Sequence, residues 1–151
     1  MALALSVDGT RALSCGNLDM RLWDVPTGRE LIRWTRLQGS IQKMRISRDG
    51  RLGLTAGRCV CLWDLKTGEF RSLVGAFTQS PLHIAFAAGD TRVIGLDYTR
   101  EVRVWNLTTG KELAGAMLPM WVDRVAISPD GRRILGGGQD GKLGLWEIPS
   151  D

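Results

Sequence analysis

The chain is short of the residues that most enzyme sites are built from. It holds one histidine, His83, and one tyrosine, Tyr98, in 151 residues, so a Ser-His-Asp or Cys-His arrangement has a single possible base. His83 lies in the apolar run "PLHIAFA", where a buried or rim histidine is the expectation. Cysteine is scarce and odd in number, at three, which together with the lack of a secretory feature suggests a reducing compartment. No apolar run approaches the ~20 residues that a membrane helix needs, and no stretch shows helical spacing. "MALALS" has neither a basic leader nor a long apolar core. Charge of one sign is also limited: the formal net charge is +4. Arg11, Arg51, Arg92 and Arg132 fall near equivalent turns, which reads as a solvated rim and not as a nucleic-acid stripe.

Glycine and tryptophan are present in number and in register. Trp23, Trp63, Trp105 and Trp146 stand 40, 42 and 41 residues apart. Thr27-Gly28, Thr67-Gly68 and Thr109-Gly110 follow the first three at a constant offset. Upstream come Asp8-Gly9, Asp49-Gly50 and Asp130-Gly131, with the order reversed at Gly89-Asp90. Both dipeptide types mark turns, since glycine supplies positive φ and aspartate bonds its own backbone. The chain therefore carries four copies of one unit.

Within a copy, apolar residues alternate with period two and turn signals recur every eight to twelve residues, the pattern of antiparallel strands. In the last copy, "RVAIS", "RILG" and "KLGLWEI" are three such strands. In the first three copies the segment after Thr-Gly, such as "RELIRWTRL", adds a fourth. Trp34 in that segment is expected to pack locally. The third strand is apolar on both sides: Leu22 against Trp23 and Val25, Val60 and Leu62 against Trp63 and Leu65, Val102 and Val104 against Trp105 and Leu107. A strand of this kind needs cover on both faces, which sheets stacked around an axis provide.

Trp23-Asp24 and Trp63-Asp64, the near-matches Trp105-Asn106 and Trp146-Glu147, and "SPDGR" at Ser128 to Arg132 resemble the WD40 repeat proteins over essentially the whole chain. The resemblance implies an all-β, WD40-type β-propeller with four blades per chain, at about residues 1–37, 38–77, 78–118 and 119–151. The family also pairs a Gly-His with an Asp six residues before the tryptophan. Here Gly-His is missing and only Asp140 holds the Asp position; Asn17 and Thr99 replace it in two copies, and the second copy has Gly57-Arg58.

The chain starts inside a first strand and ends where a fourth strand is due, so the last blade lacks its outer strand. Four blades shaped for a ring of seven or eight leave two apolar end faces. At ~25 cal/mol per Å2, covering several hundred Å2 at each end is worth on the order of ten kcal/mol. The expectation is a homodimer closing an eight-bladed ring. The rivals are a portion of a longer propeller and a closed four-blade monomer.

Isolated chemical motifs reduce to structure. Cys59-Val60-Cys61 places two thiols on one strand face, but CxC without a second knuckle, even with Cys15 and His83, is read as buried cysteine and not as a zinc site. "GGGQDG" from Gly136 leads into a strand and has no helix N-terminus to hold phosphate. The sequon at Asn106 occupies the Trp-Asp position of a copy and is read as coincidence. No catalytic residue, cofactor or metal is expected. The family's docking face implies the loops holding Asn17, Gly57-Arg58, Tyr98-Thr99-Arg100 and Gln139-Asp140, with Gln38 to Ser40, Thr78 to Pro81 and Pro119 to Asp123. Arg58, Tyr98, Arg100, Trp121 and Asp123 are the candidate partner-binding residues, because aromatic residues and arginine dominate hot spots. Trp121 lies outside the repeat register and is the first choice, although a loop tryptophan also suits the gap to the next blade.

The functional expectation is a non-catalytic, cytoplasmic scaffold for a protein or peptide partner. The alternatives are a regulatory or sensor part of a larger multidomain protein such as a kinase, and a pure self-assembly module, natural or engineered.

Overall fold

In the computed structural model, described over residues 1–16, 19–35, 37, 40–57, 59–73, 77 and 79–148, each copy of the repeat makes one antiparallel sheet. The chain divides into two compact units, Met1–Ala76 and Phe77–Asp151.

The first unit holds two sheets. One runs in the order β1 (Ala2–Leu5), β2 (Arg11–Gly16), β3 (Asp19–Asp24), β4 (Arg29–Trp34), and the other in the order β5 (Lys43–Ile46), β6 (Leu52–Ala56), β7 (Val60–Asp64), β8 (Phe70–Ser72). The register sends Leu13, Met20 and Leu22 to one face of the first sheet, where they pack against Met44, Ile46, Cys61 and Trp63 of the second. The indole N–H of Trp63 donates to Thr55 Oγ1 at 2.8 Å, and that of Trp23 donates to Ser14 Oγ at 2.8 Å. Each of these two indoles thus finds a hydroxyl one strand away, so its ring packs without stranding its donor.

The second unit repeats the plan. β9 (Pro81–Ala87), β10 (Arg92–Asp97), β11 (Glu101–Asn106) and β12 (Glu112–Met117) form one four-stranded sheet. β13 (Arg124–Ile127), β14 (Arg133–Gly137) and β15 (Leu143–Glu147) form a sheet of three. Ile94, Leu96, Val102 and Val104 of the first are covered by Ile134, Ile148, Val125, Ile127 and Trp146 of the second. Glycine makes room for the rings: a Cβ at Gly144 would collide with the Trp146 indole, and one at Gly95 would collide with Phe77 and lie 3.2 Å from Trp105. Phe77 meets Trp105 edge-on at 5.5 Å.

Trp63 and Trp105 are buried, at 3% and 0% exposure, while Trp23 and Trp146 are half-buried. Trp34 departs from the sequence expectation of local packing. Its indole reaches across to the second sheet and donates to the Gly68 carbonyl at 2.7 Å.

Candidate functional site

The candidate residues lie on loops at one end of the strands in the second unit. Asp97, 1% exposed at the end of β10, fixes the β10–β11 connection. Its Oδ1 accepts from Thr99 N at 2.8 Å, Thr99 Oγ1 at 2.6 Å and Glu101 N at 3.1 Å. Thr99, which stands where the family has aspartate, is therefore a partner of a buried carboxylate two residues earlier. The tight loop drives Arg100 to φ +74, the left-handed region that costs a non-glycine residue of order 1 kcal/mol.

That strained backbone aims the Arg100 side chain at the loop between β12 and β13. The guanidinium carbon sits 4.8 Å from the ring centroid of Trp121, within cation–π range. Trp121 is 67% exposed and Tyr98 56%, so both present rings to solvent. Leu118 N donates to Arg100 O at 2.9 Å and Asp123 N to Gly137 O at 2.8 Å, holding one end of the Trp121 loop to the β10–β11 loop and the other to β14. Gly138 permits the approach: a Cβ there would stand 2.7 Å from the Trp121 carbonyl oxygen. Among the described residues Arg100 Nε is buried without a hydrogen-bond partner, and the guanidinium packs against the indole.

Of the sequence candidates, Arg100 and Trp121 touch, Tyr98 shares the Arg100 loop, and Asp123 ends the Trp121 loop. Asp140 is exposed and pairs with Lys142 at 3.2 Å. Arg58, with Asn17, Gln38, Gly39 and Thr78, lies outside the described residues.

A second feature lies in the first unit. A cleft of about 570 Å3 is walled by Trp34, Trp63, Phe70, Cys59, Cys61 and Ser72. The two thiols of the CxC run point the same way, with their sulfurs 3.3 Å apart. Burial pushes the Cys61 thiol up to about 12, against the Ser72 hydroxyl, which lies 3.6 Å from its sulfur and lowers it. Sequence reasoning paired the thiols and missed the cleft. The signal was present in the period-two spacing of Phe70 and Ser72 on the facing strand. Among the described residues no group of three His, Cys, Asp or Glu side chains could hold a metal ion.

Antiparallel sheets of three or four strands that pack face to face within each unit, each carrying one buried or half-buried indole at the same register, define blades of a β-propeller. The model of the family "WD domain, G-beta repeat" matches residues 116–147, the last of the four copies. The chain is 31% identical to small ribosomal subunit protein RACK1y of Oryza sativa subsp. japonica over 97% of its length and 47% of that protein. It is 26% identical to protein tipD of Dictyostelium discoideum over 77% of its length and 19% of tipD. It is 25% identical to the LST8 homolog of Drosophila pseudoobscura pseudoobscura over 99% of its length and 49% of that protein. This chain belongs to the WD40 repeat family, and it spans half or less of each of these relatives.

Proposed function

We propose that the chain is a non-catalytic interaction scaffold of a reducing cytoplasm. It binds a protein or peptide partner at Tyr98, Arg100, Trp121 and Asp123, and it associates with a second copy of itself to complete a ring of eight blades. The observation that carries the docking reading is the Arg100 guanidinium stacked on an indole two-thirds exposed to water. A solvent-facing aromatic held rigid by a cation loses little side-chain entropy when a partner covers it, which is the character of a hot spot. The relatives support the scaffold class: RACK1y bears the name of a ribosomal subunit protein, a component of an assembly.

Selection of a random peptide library on the immobilised chain tests it. Enriched peptides should bind Trp121→Ala at least about tenfold more weakly, a loss of roughly 1.4 kcal/mol. Peptides that bind the wild type and this variant equally overturn the docking surface.

A second reading, a regulatory part of a larger multidomain protein, is favoured by the relatives' lengths, since the match occupies 19% of tipD. An open reading frame that continues upstream of the Met1 codon decides it.

A further inference from the structure

Arg100 occupies a position where glycine is the easier residue. It stands five residues before Trp105, as Gly141 stands five before Trp146. Both take φ +74, and their N–H groups donate back in the same way, Arg100 to Asp97 O at 3.2 Å and Gly141 to Gly138 O at 3.1 Å. The third copy thus builds the tight turn of the fourth but places a long cation where a left-handed backbone disfavours any Cβ.

A second cost falls on the same side chain. Arg100 Nε is buried without an acceptor among the described residues, and an orphaned donor of this kind calls for an explanation. Arg103, on the neighbouring strand β11, shows how such a group is completed. Its Nε is buried and orphaned too, but its Nη2 lies 2.7 Å from Glu101 and its Nη1 3.0 Å from Glu112. Arg100 is half-buried in the same manner, yet among the described residues no carboxylate forms an ion pair with it, Asp123 at the end of the Trp121 loop included. What it has is the Trp121 ring, 4.8 Å from its guanidinium carbon. Backbone strain together with an unpaired charge on one loop residue is the character of a ligand clamp.

We propose that Arg100 and Trp121 together read an acidic residue in a linear peptide: the Nη1 and Nη2 groups of Arg100 hold an Asp or Glu carboxylate end-on, and the exposed Trp121 ring takes the apolar side chain beside it. This rests on the docking reading above and names the chemistry of the partner. The carboxylate supplies to Arg100 what Glu101 and Glu112 supply to Arg103. An indole against the guanidinium fixes the plane of the fork and keeps water from it, and both effects strengthen a bidentate, charge-assisted pair. Trp121 is 67% exposed, and Tyr98, two residues before Arg100, is 56% exposed, so apolar ring surface borders the cation. The anion is singly charged. One guanidinium meets it, the loop closes on the carboxylate of Asp123, and Arg124 turns a donor to the Asp123 carbonyl at 2.9 Å; a phosphate dianion calls for a cluster of arginines.

The test uses the immobilised full chain and a random library of linear peptides. Enriched peptides should share an Asp or Glu next to an apolar residue. Replacing that acid by its amide should weaken binding to the wild type at least about tenfold. Arg100→Gly should weaken the acidic peptide as much and be indifferent to the change from acid to amide, the coupling expected of a direct pair. Its urea midpoint should equal or exceed the wild type's, since glycine relieves φ +74. Raising salt from about 50 to about 500 mM should weaken the acidic peptide on the wild type more than on Arg100→Gly. Peptides that need Trp121 but carry no acid, and bind Arg100→Gly as tightly as the wild type, overturn this inference and leave the docking surface standing. Peptides indifferent to both side chains overturn the two together. A phosphoserine at the acid position that binds where the carboxylate does not overturns the carboxylate in favour of phosphate. Should Arg100→Gly lower the urea midpoint, the comparison of acid with amide on the wild type decides alone.

Discussion

The indole N–H of Trp34 donates to the carbonyl oxygen of Gly68 at 2.7 Å, tying the outer strand of the first blade to the Thr-Gly turn of the second. The Trp34 ring also meets Trp63 edge-on at 5.3 Å, and Trp63 stacks on Phe70 at 4.6 Å. One side chain thus supplies both a hydrogen bond and an aromatic contact between neighbouring sheets. Trp34→Phe keeps the second and forfeits the first, at a cost of about 1 kcal/mol. Trp34→Ala loses both and should cost about 2–3 kcal/mol. Urea denaturation of the two variants checks the order, and equal midpoints would sink the assignment.

Acid should weaken the fold through its turns. The carboxyls of Asp8, Asp49 and Asp130 are held below the ordinary range, first by the hydroxyls of Ser6, Ser47 and Ser128 and then by backbone N–H groups. Asp64 is lowered by the backbone N–H groups of Thr67 and Lys66. A carboxyl depressed in the folded state stabilises fully above its unfolded value of about 3.9, and that contribution is lost as pH falls through the folded value. The urea midpoint should therefore hold from about pH 7 to 5 and decline below about 4. Asn106 shows the same turn without charge, its Oδ1 accepting from Thr108 N at 2.8 Å and Thr109 N at 3.0 Å. Asp64→Asn should accordingly keep the midpoint at neutral pH and flatten the acid decline.

Cys61 should behave as a buried thiol. With its ionisation pushed to about 12 by burial, it carries almost no thiolate at neutral pH. Folded-state alkylation by iodoacetamide should spare it, and unfolding in urea should expose it; peptide mapping reads both. The raised value also sets a sign at high pH. The native state keeps its proton after the unfolded thiol has lost one at about 8.5, so stability falls as pH rises above that point. Cys61→Ser should lessen that alkaline decline.

Strand order and blade identity were legible in the sequence because they depend on local signals: period-two alternation, Thr-Gly and Asp-Gly turns, and a tryptophan at constant spacing. The choice of Trp121 rested on its being out of register, and its contact with Arg100, at 4.8 Å from guanidinium carbon to ring centroid, was not legible there. What could not be read was contact between residues distant in sequence. Trp34 to Gly68 spans 34 residues, and nothing in "RELIRW" says on which sheet the indole ends. The glycines opposite the indoles were visible as glycines, but only the ring positions explain why a Cβ at Gly95 or Gly144 is forbidden.

The turn between β9 and β10 departs from the Asp-Gly turn of the other three copies, and it should be open to improvement. The other copies place glycine third after a serine, and Gly9, Gly50 and Gly131 take φ near +70 there while their N–H groups donate to Ser6, Ser47 and Ser128. In "AAGD" the order is reversed, and Ala88, Gly89 and Asp90 all stand at positive φ, at +52, +63 and +62. Aspartate tolerates this region better than alanine does, because its side chain can bond locally. Ala88 is held there by its own N–H, which donates to Pro129 O at 3.0 Å, and by its carbonyl, which accepts from Thr91 Oγ1 at 2.7 Å. Glycine keeps both of those backbone groups and relieves the Cβ, at the cost of a more flexible unfolded chain. Ala88→Gly should therefore stabilise by about 0.5–1 kcal/mol where a glycine at an ordinary strand position destabilises by a similar amount. A drop in the urea midpoint for Ala88→Gly would show that the left-handed run carries no strain.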